Sequence, residues 1–168
     1  MNYCDIKKVD VANGVGCRVS LIVSGCTFLC KDCFNKEAWN FEAGKTFTIT
    51  ELMMMMEQLK KPYIHGVSVL GGEPLHPRNI SDVLYVLAVI KAECPTKDVW
   101  LYTGYTYEQV QSMPEYAEIV GLVDVIVDGR FEVDKKQDDL QFRGSTNQRI
   151  VDVKKTVAWG RIVEWKND

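Results

Sequence analysis

The chain has 168 residues, so one domain is expected, and roughly 70% of the unfolded surface of a chain this size can be buried. Hydrophobic residues make up 46% and charged residues 26%, a balance that excludes a disordered chain. Twenty Lys and Arg stand against 23 Asp and Glu, a net charge of −3 with no basic stripe, which argues against electrostatic capture of nucleic acid.

Met1 to Asp10 lacks a basic segment followed by an apolar run, so no secretory leader is expected. The longest nearly apolar run, Val83 to Ile90, is too short to span a bilayer. The expectation is a cytoplasmic protein without membrane attachment. Six cysteines in such a chain point to metal or redox chemistry before disulfides.

Cys17 to Val23 (CRVSLIV) is β-branched and apolar and reads as a first buried strand, stopped by Ser24-Gly25. A cysteine-rich loop follows. Thr48 to Glu51 fits a capping box, and behind it Leu52, Met55, Met56 and Leu59 share one helical face, with Pro62 ending the segment. Of the four consecutive methionines, two are expected in the core and two on the surface. Gly66 to Leu70 reads as a second strand, ending in Gly71-Gly72-Glu73-Pro74. Ser81 is the expected cap of a helix reaching about Glu93, with Ile80, Val83, Leu84, Leu87 and Ile90 at helical spacing. Asp98 to Thr103 is the third strand, closed by Gly104, and Thr106 to Gln109 is a second capping box whose helix Pro114 interrupts. Leu122 to Val127 is the fourth strand, ending at Asp128-Gly129. Beyond it, Gln148 to Val153 and Thr156 to Val163 read as shorter strands.

Strand, loop and helix repeating at this spacing mean βαβ units and a mainly parallel sheet. A complete eight-fold barrel needs at least about 200 residues, so the expected fold is α/β with a partial, open TIM-like βα barrel, one domain over residues 1–168. Ligands sit at the carboxyl ends of strands in such folds, and the polar and glycine clusters do follow strand ends.

Cys26, Cys30 and Cys33 form Cys-x3-Cys-x2-Cys just after the first strand. A structural zinc wants four ligands, and here the fourth would come from Cys4, Cys17, Cys94 or one of two histidines, none at a familiar zinc spacing. A four-iron cluster on three cysteines leaves one iron open to a small molecule.

Cys-x3-Cys-x2-Cys after the first strand, with Gly-Gly-Glu-Pro after the second, resembles the radical S-adenosylmethionine superfamily. Val23-Ser-Gly-Cys26, Gly71-Gly-Glu-Pro-Leu-His-Pro77, Tyr102-Thr-Gly-Tyr105, Val127-Asp-Gly129 and Arg143-Gly-Ser-Thr-Asn-Gln148 resemble one branch, the activating enzymes of anaerobic (class III) ribonucleotide reductase. The match runs from about Asn2 to Arg149, and the residues after about Val153 lie outside it.

That resemblance implies a [4Fe-4S] cluster on Cys26, Cys30 and Cys33, with S-adenosyl-L-methionine chelating the open iron. It implies reductive cleavage to methionine and a 5′-deoxyadenosyl radical, and a glycyl radical placed on the large reductase subunit. A flavodoxin or ferredoxin is the electron donor that the family implies.

Gly71 and Gly72 are expected against the methionine amino group, with Glu73 either ordering that loop or meeting the ammonium. Taken alone, Gly71 to Pro74 also reads as a plain turn. The superfamily commonly has an aromatic residue before the last cysteine, near the adenine. Here it is Asp32, which leaves backbone contacts from Asp32, Cys33 and Phe34. Phe28 and Phe34 read equally as a shield for the cluster and as core aromatics.

Thr103, Gly104 and Asp128, at strand ends, are candidates for the ribose or the methionine carboxylate, and Asp128 is also placed to open an Asx-turn. Arg143, Ser145, Asn147 and Arg149 form a polar group that reads as a border of the site, a reductase contact or a solvated loop. His65 and His76 receive no role. Cys4, Cys17 and Cys94 read as buried hydrophobes, Cys17 excepted if it lies near the cluster. The alternatives are an activase of pyruvate formate-lyase type, a small-molecule radical enzyme of the deazapurine pathway and a zinc-binding interaction module.

Overall fold

The computed structural model describes residues 1–166, so the last two positions of the expected 1–168 domain lie outside the described residues. Its strands are β1 (Asn2–Asp10), β2 (Cys17–Val23), β3 (Lys45–Thr46), β4 (Ile64–Gly71), β5 (Asp98–Tyr102), β6 (Val125–Asp128) and β7 (Arg149–Asp152). Its α-helices are α1 (Ile49–Leu59), α2 (Ile80–Glu93), α3 (Tyr107–Gln111), α4 (Tyr116–Leu122) and α5 (Val153–Trp159). Among the described residues the strands form one open sheet in the order β3-β1-β2-β4-β5-β6-β7. The centre, β2-β4-β5-β6, is parallel, as the βαβ spacing predicts, while β1 and β7 run antiparallel to it on either side and β3 pairs antiparallel with β1.

Alternation along the central strands divides the molecule into two faces. Val19, Leu21 and Val23 of β2, Val67 and Val69 of β4, Val99 and Leu101 of β5 and Ile126 of β6 are all buried in one cluster with residues of every α-helix. Each such side chain contributes about 1.5–3 kcal/mol of burial. The opposite parity carries Trp100, Val125 and Val127, packed against loop residues instead of helices. Arg18, fully buried on that face, donates from Nε to Ser68 Oγ (2.8 Å) and from Nη2 to the Val67 carbonyl (2.9 Å), and pairs with Asp98 at 2.8 Å. Helices on one side and a hollow on the other place ligand space on the helix-free face.

Both predicted capping boxes form, at Thr48/Glu51 and Thr106/Gln109. Leu52, Met55, Met56 and Leu59 face the core, whereas Met53 is 66% exposed.

Four readings are corrected. β1 is a strand that the sequence pattern does not predict, because it is mostly half-buried or exposed and carries no clean alternation. The second helix starts at Ile80 with Asn79 at its cap position, so Ser81 lies inside the helix. The Asn79 amide instead donates to the carbonyls of Ser24 (2.9 Å) and Glu73 (3.1 Å). Leu122 closes α4, so the fourth predicted strand shortens to Val125–Asp128. The stretch from Thr156 belongs to helix α5, not a strand: the Asp152 side chain caps it by accepting from Lys155 N, and Gly160, at φ +63°, ends it.

Candidate metal and cofactor centre

The four parallel strands deliver their following loops to one edge. A cavity of about 540 Å³ opens there and continues along the helix-free face. Cys26, Cys30 and Cys33 line it together with Gly71, Gly72, Glu73, Thr103, Gly104 and Gly129.

The cysteine loop wraps because two of its residues without glycine's freedom, Leu29 (φ +48°) and Asp32 (φ +55°), take the left-handed conformation. That geometry costs roughly 1–2 kcal/mol per residue and reverses the chain on either side of Cys30, so that Cys26, Cys30 and Cys33 line one cavity. The loop is tied back by Cys26 N to the Trp39 carbonyl (3.0 Å) and Cys33 N to the Cys30 carbonyl (3.1 Å). All three thiols are half-buried. Burial pushes the Cys26 and Cys30 thiols up; backbone N–H groups of Phe28 and Leu29 near Cys26, and of Phe131 near Cys30, act in the opposite direction. Amide donors around desolvated sulfurs suit thiolates that a metal cluster would neutralise.

Among the described residues no three His, Cys, Asp or Glu side chains come close enough to hold a single metal ion. A structural zinc site takes four ligands, with Zn–S distances of about 2.3 Å. Three half-buried thiols lining one cavity, two of them with backbone N–H groups nearby, are a donor set that an iron–sulfur cluster fits.

Gly71 and Gly72 are required by close approach of backbone to backbone. A Cβ on Gly71, at φ +113°, would lie 2.6 Å from the Val23 carbonyl oxygen, and one on Gly72 would lie 2.4 Å from that of Gly25. Gly72 N and Glu73 N donate to the carbonyls of Val23 and Gly25, both at 2.8 Å. The Glu73 carboxylate, 1% exposed, accepts from Leu75 N (2.9 Å), Thr103 Oγ1 (2.8 Å) and Gly104 N (2.7 Å). Burial raises its pKa to about 7, against the pull of those donors. Of its two expected uses, ordering the loops is the one this geometry serves. Thr103 is likewise committed, donating to Glu73 and accepting from Tyr105 N (3.1 Å).

Two expected residues stand away from the cavity lining. Asp32 is exposed and pairs with Lys36 at 3.1 Å. Asp128 is buried and accepts from Tyr107 N (2.6 Å), Arg149 N (3.2 Å) and the Arg149 guanidinium, which also reaches Glu108. Phe34 lines the cavity with its ring 5.0 Å from that of Phe131, though 64% of it is exposed. Phe28 packs on Tyr105 at 4.8 Å beneath the Arg130 guanidinium.

The Arg143-to-Gln148 string folds the segment after β6. Gln148 Oε1 accepts from Gly144 N (2.9 Å) and Ser145 N (3.2 Å), Gln148 Nε2 donates to the Gly129 carbonyl (2.9 Å), and Asn147 Nδ2 to that of Arg130 (2.8 Å). Arg143, expected as a border of the site, does line the cavity, whereas sequence reasoning missed Trp39, Tyr102 and Arg130 as cavity residues and the segment 136–142 as its wall. An inward-facing aromatic in a strand looks like core until the helix-free face is known.

The family comparison agrees with this geometry. A family model described as a 4Fe-4S single cluster domain matches residues 12–151, so the chain is a member of that class of iron–sulfur domain. Three curated relatives are named anaerobic ribonucleoside-triphosphate reductase-activating protein. That of Pasteurella multocida (strain Pm70) is 41% identical over 152 residues, covering 89% of this chain and 96% of the relative. That of Escherichia coli (strain K12) is 41% identical over 152 residues, covering 89% and 97%. That of Enterobacteria phage T4 is 40% identical over 150 residues, covering 89% and 93%. The chain belongs to the family of anaerobic ribonucleoside-triphosphate reductase-activating proteins.

Proposed function

We propose that the protein activates anaerobic ribonucleotide reductase by generating a glycyl radical on its large subunit. The observation that carries this reading is the convergence of Cys26, Cys30 and Cys33 with the Gly71–Glu73 loop on one cavity at the strand ends. Cys26, Cys30 and Cys33 would hold a [4Fe-4S] cluster, whose chemistry would be the one-electron reduction of S-adenosylmethionine to methionine and a 5′-deoxyadenosyl radical able to take a hydrogen atom from a glycine α-carbon. A flavodoxin or ferredoxin is the proposed electron source, and the cytoplasm the proposed compartment.

Cys26, Cys30 and Cys33 hold the cluster. Gly71 and Gly72 let backbone approach the methionine amino group, Asp32 to Phe34 offer backbone to the nucleoside, and Gly104 borders it. Glu73 and Thr103 fix the two loops relative to one another. Asp128 is left out of the cofactor set, its carboxylate being spent on Arg149 and Tyr107. Phe28 and Phe34 limit water at the sulfurs. Helices confined to one sheet face support the partial-barrel reading of the fold, with the cavity as the barrel interior. No helix of the described residues is long and apolar enough to cross a membrane.

The test is anaerobic purification, iron and sulfide analysis, S-adenosylmethionine cleavage on reduction, and electron paramagnetic resonance after mixing with the reductase. Wild type should carry about four iron per chain and produce a glycyl signal. Cys26→Ala, Cys30→Ala and Cys33→Ala should each abolish cleavage. Retained cleavage in any of them removes that cysteine from the ligand set.

A further inference from the structure

Gln137, Asp138, Leu140, Phe142, Arg143 and Gly144 form one wall of the cavity. The base of this wall is bonded: Thr146 N donates to the Lys135 carbonyl (3.0 Å), Lys136 pairs with Ser145, and Gln148 gathers the 144–145 amides. From 137 to 142 the wall makes no hydrogen bond among the described residues, and its ion pair is the exposed Lys136–Asp138 contact at 3.3 Å. Packing at Phe142 therefore sets where this stretch stands.

Phe142 sits at φ +57°, a left-handed conformation that a non-glycine residue keeps only when its surroundings impose it. Its ring lies 5.4 Å from Trp100, edge to face at 79°, and 6.5 Å from Trp165. Trp165 and Trp100 are themselves 5.1 Å apart at 68°. Trp100 is 1% exposed and lies on the same face of β5 as Tyr102, which lines the cavity. Trp165 arrives from the end of the chain, pinned along β7 by Trp165 N to the Ile150 carbonyl (2.8 Å) and Asp152 N to the Val163 carbonyl (2.9 Å).

We infer that Trp165 is a positioning residue for the cofactor cavity: it completes an aromatic clamp on Phe142 that holds the 137–142 wall in its ligand-receiving position. The inference rests on the proposed function for the identity of the ligand, but not for the clamp. Losing the Trp165 ring removes the aromatic contact it makes to the wall, that to Phe142, so the wall should open about two- to tenfold more often.

Two readouts on cluster-loaded protein test this. Proteinase K should cut within 137–142 about two- to tenfold faster in Trp165→Ala than in wild type, because cleavage follows the open population, and Trp165→Phe should largely restore the wild-type rate. The KM for S-adenosylmethionine should rise in Trp165→Ala by the factor by which the closed population falls, at most about tenfold, with kcat within about twofold and iron content unchanged. A merely structural tryptophan would lower the melting temperature and leave both the cleavage site and KM in place, which would overturn the assignment. If wild type fails to cleave S-adenosylmethionine, the proposed function fails while the proteolysis result still decides the clamp.

Discussion

Glu73→Gln isolates the charge on the carboxylate that joins the β4 and β5 loops. Glu73 is buried and its pKa stands near 7 in the folded chain, against 4.5 ordinarily, with burial as the largest cause. Below 4.5 both folded and unfolded chains carry the proton and nothing is lost. Between 4.5 and about 7 the unfolded chain has released it while the folded chain still holds it, so stability falls as pH rises and levels off above the folded value. One pKa unit corresponds to about 1.36 kcal/mol, and integration from pH 5 to pH 7 gives a loss of about 2 kcal/mol. Glutamine carries no titrating proton, and either orientation of its amide leaves one buried N–H facing a donor, a cost of about 1–3 kcal/mol that protonated Glu73 shares. The variant should therefore start within about 1 kcal/mol of wild type at pH 5 and gain about 2 kcal/mol on it by pH 7. Urea unfolding followed by far-ultraviolet circular dichroism at several pH values measures this difference, in which other titrating groups cancel. Parallel stability curves would refute the reasoning, because they would mean that Glu73 is ionised throughout or already solvated.

Gly72→Ala would place a Cβ 2.4 Å from the Gly25 carbonyl oxygen, so a loss of about 1–3 kcal/mol is expected in thermal unfolding, together with weaker S-adenosylmethionine binding in equilibrium dialysis. Met55→Ala should cost about 2–5 kcal/mol and Met53→Ala almost nothing in the same melts, since Met55 is 1% exposed and Met53 66%. Arg149→Ala strands the Asp128 carboxylate, whose side chain is 1% exposed. About 3 kcal/mol should be lost, the low end for a broken buried pair because Arg149 is itself 31% exposed. A loss below about 1 kcal/mol would show that backbone N–H donors suffice for Asp128.

The parallel centre of the sheet was legible because strands buried on both faces read as continuous apolar runs, as in Cys17–Val23 and Gly66–Leu70. β1 was not, since a strand flanked on its outer side only by the two-residue β3, and bearing Asp5, Lys7 and Lys8, buries too little to impose a period. Thr156–Val163 misled through its β-branched residues, where the Asp152 cap and the left-handed Gly160 decide for helix α5. Spacing singled out the cysteines and Gly71–Glu73, which the structure gathers on one cavity. It could not separate Asp128 from Glu73. Both are carboxylates at strand ends, but their partners, Arg149 and the Thr103–Gly104 loop, depend on how distant segments return to the sheet.

The same limit bears on the open side of the sheet. A reagent as reactive as a primary carbon radical needs a water-poor cavity, yet its proposed target is part of another folded protein. A closed barrel would satisfy the first requirement and defeat the second. Here the helices cover one face, and the opposite face is walled by the segment between β6 and β7, whose middle is fixed by rings instead of hydrogen bonds. Such a wall can be displaced for about the free energy of a few aromatic contacts, far less than opening a strand ladder would require. Exclusion of water and admission of a polypeptide are thus reconciled by weak attachment at one place, and changes there should affect ligand affinity before they affect the sheet.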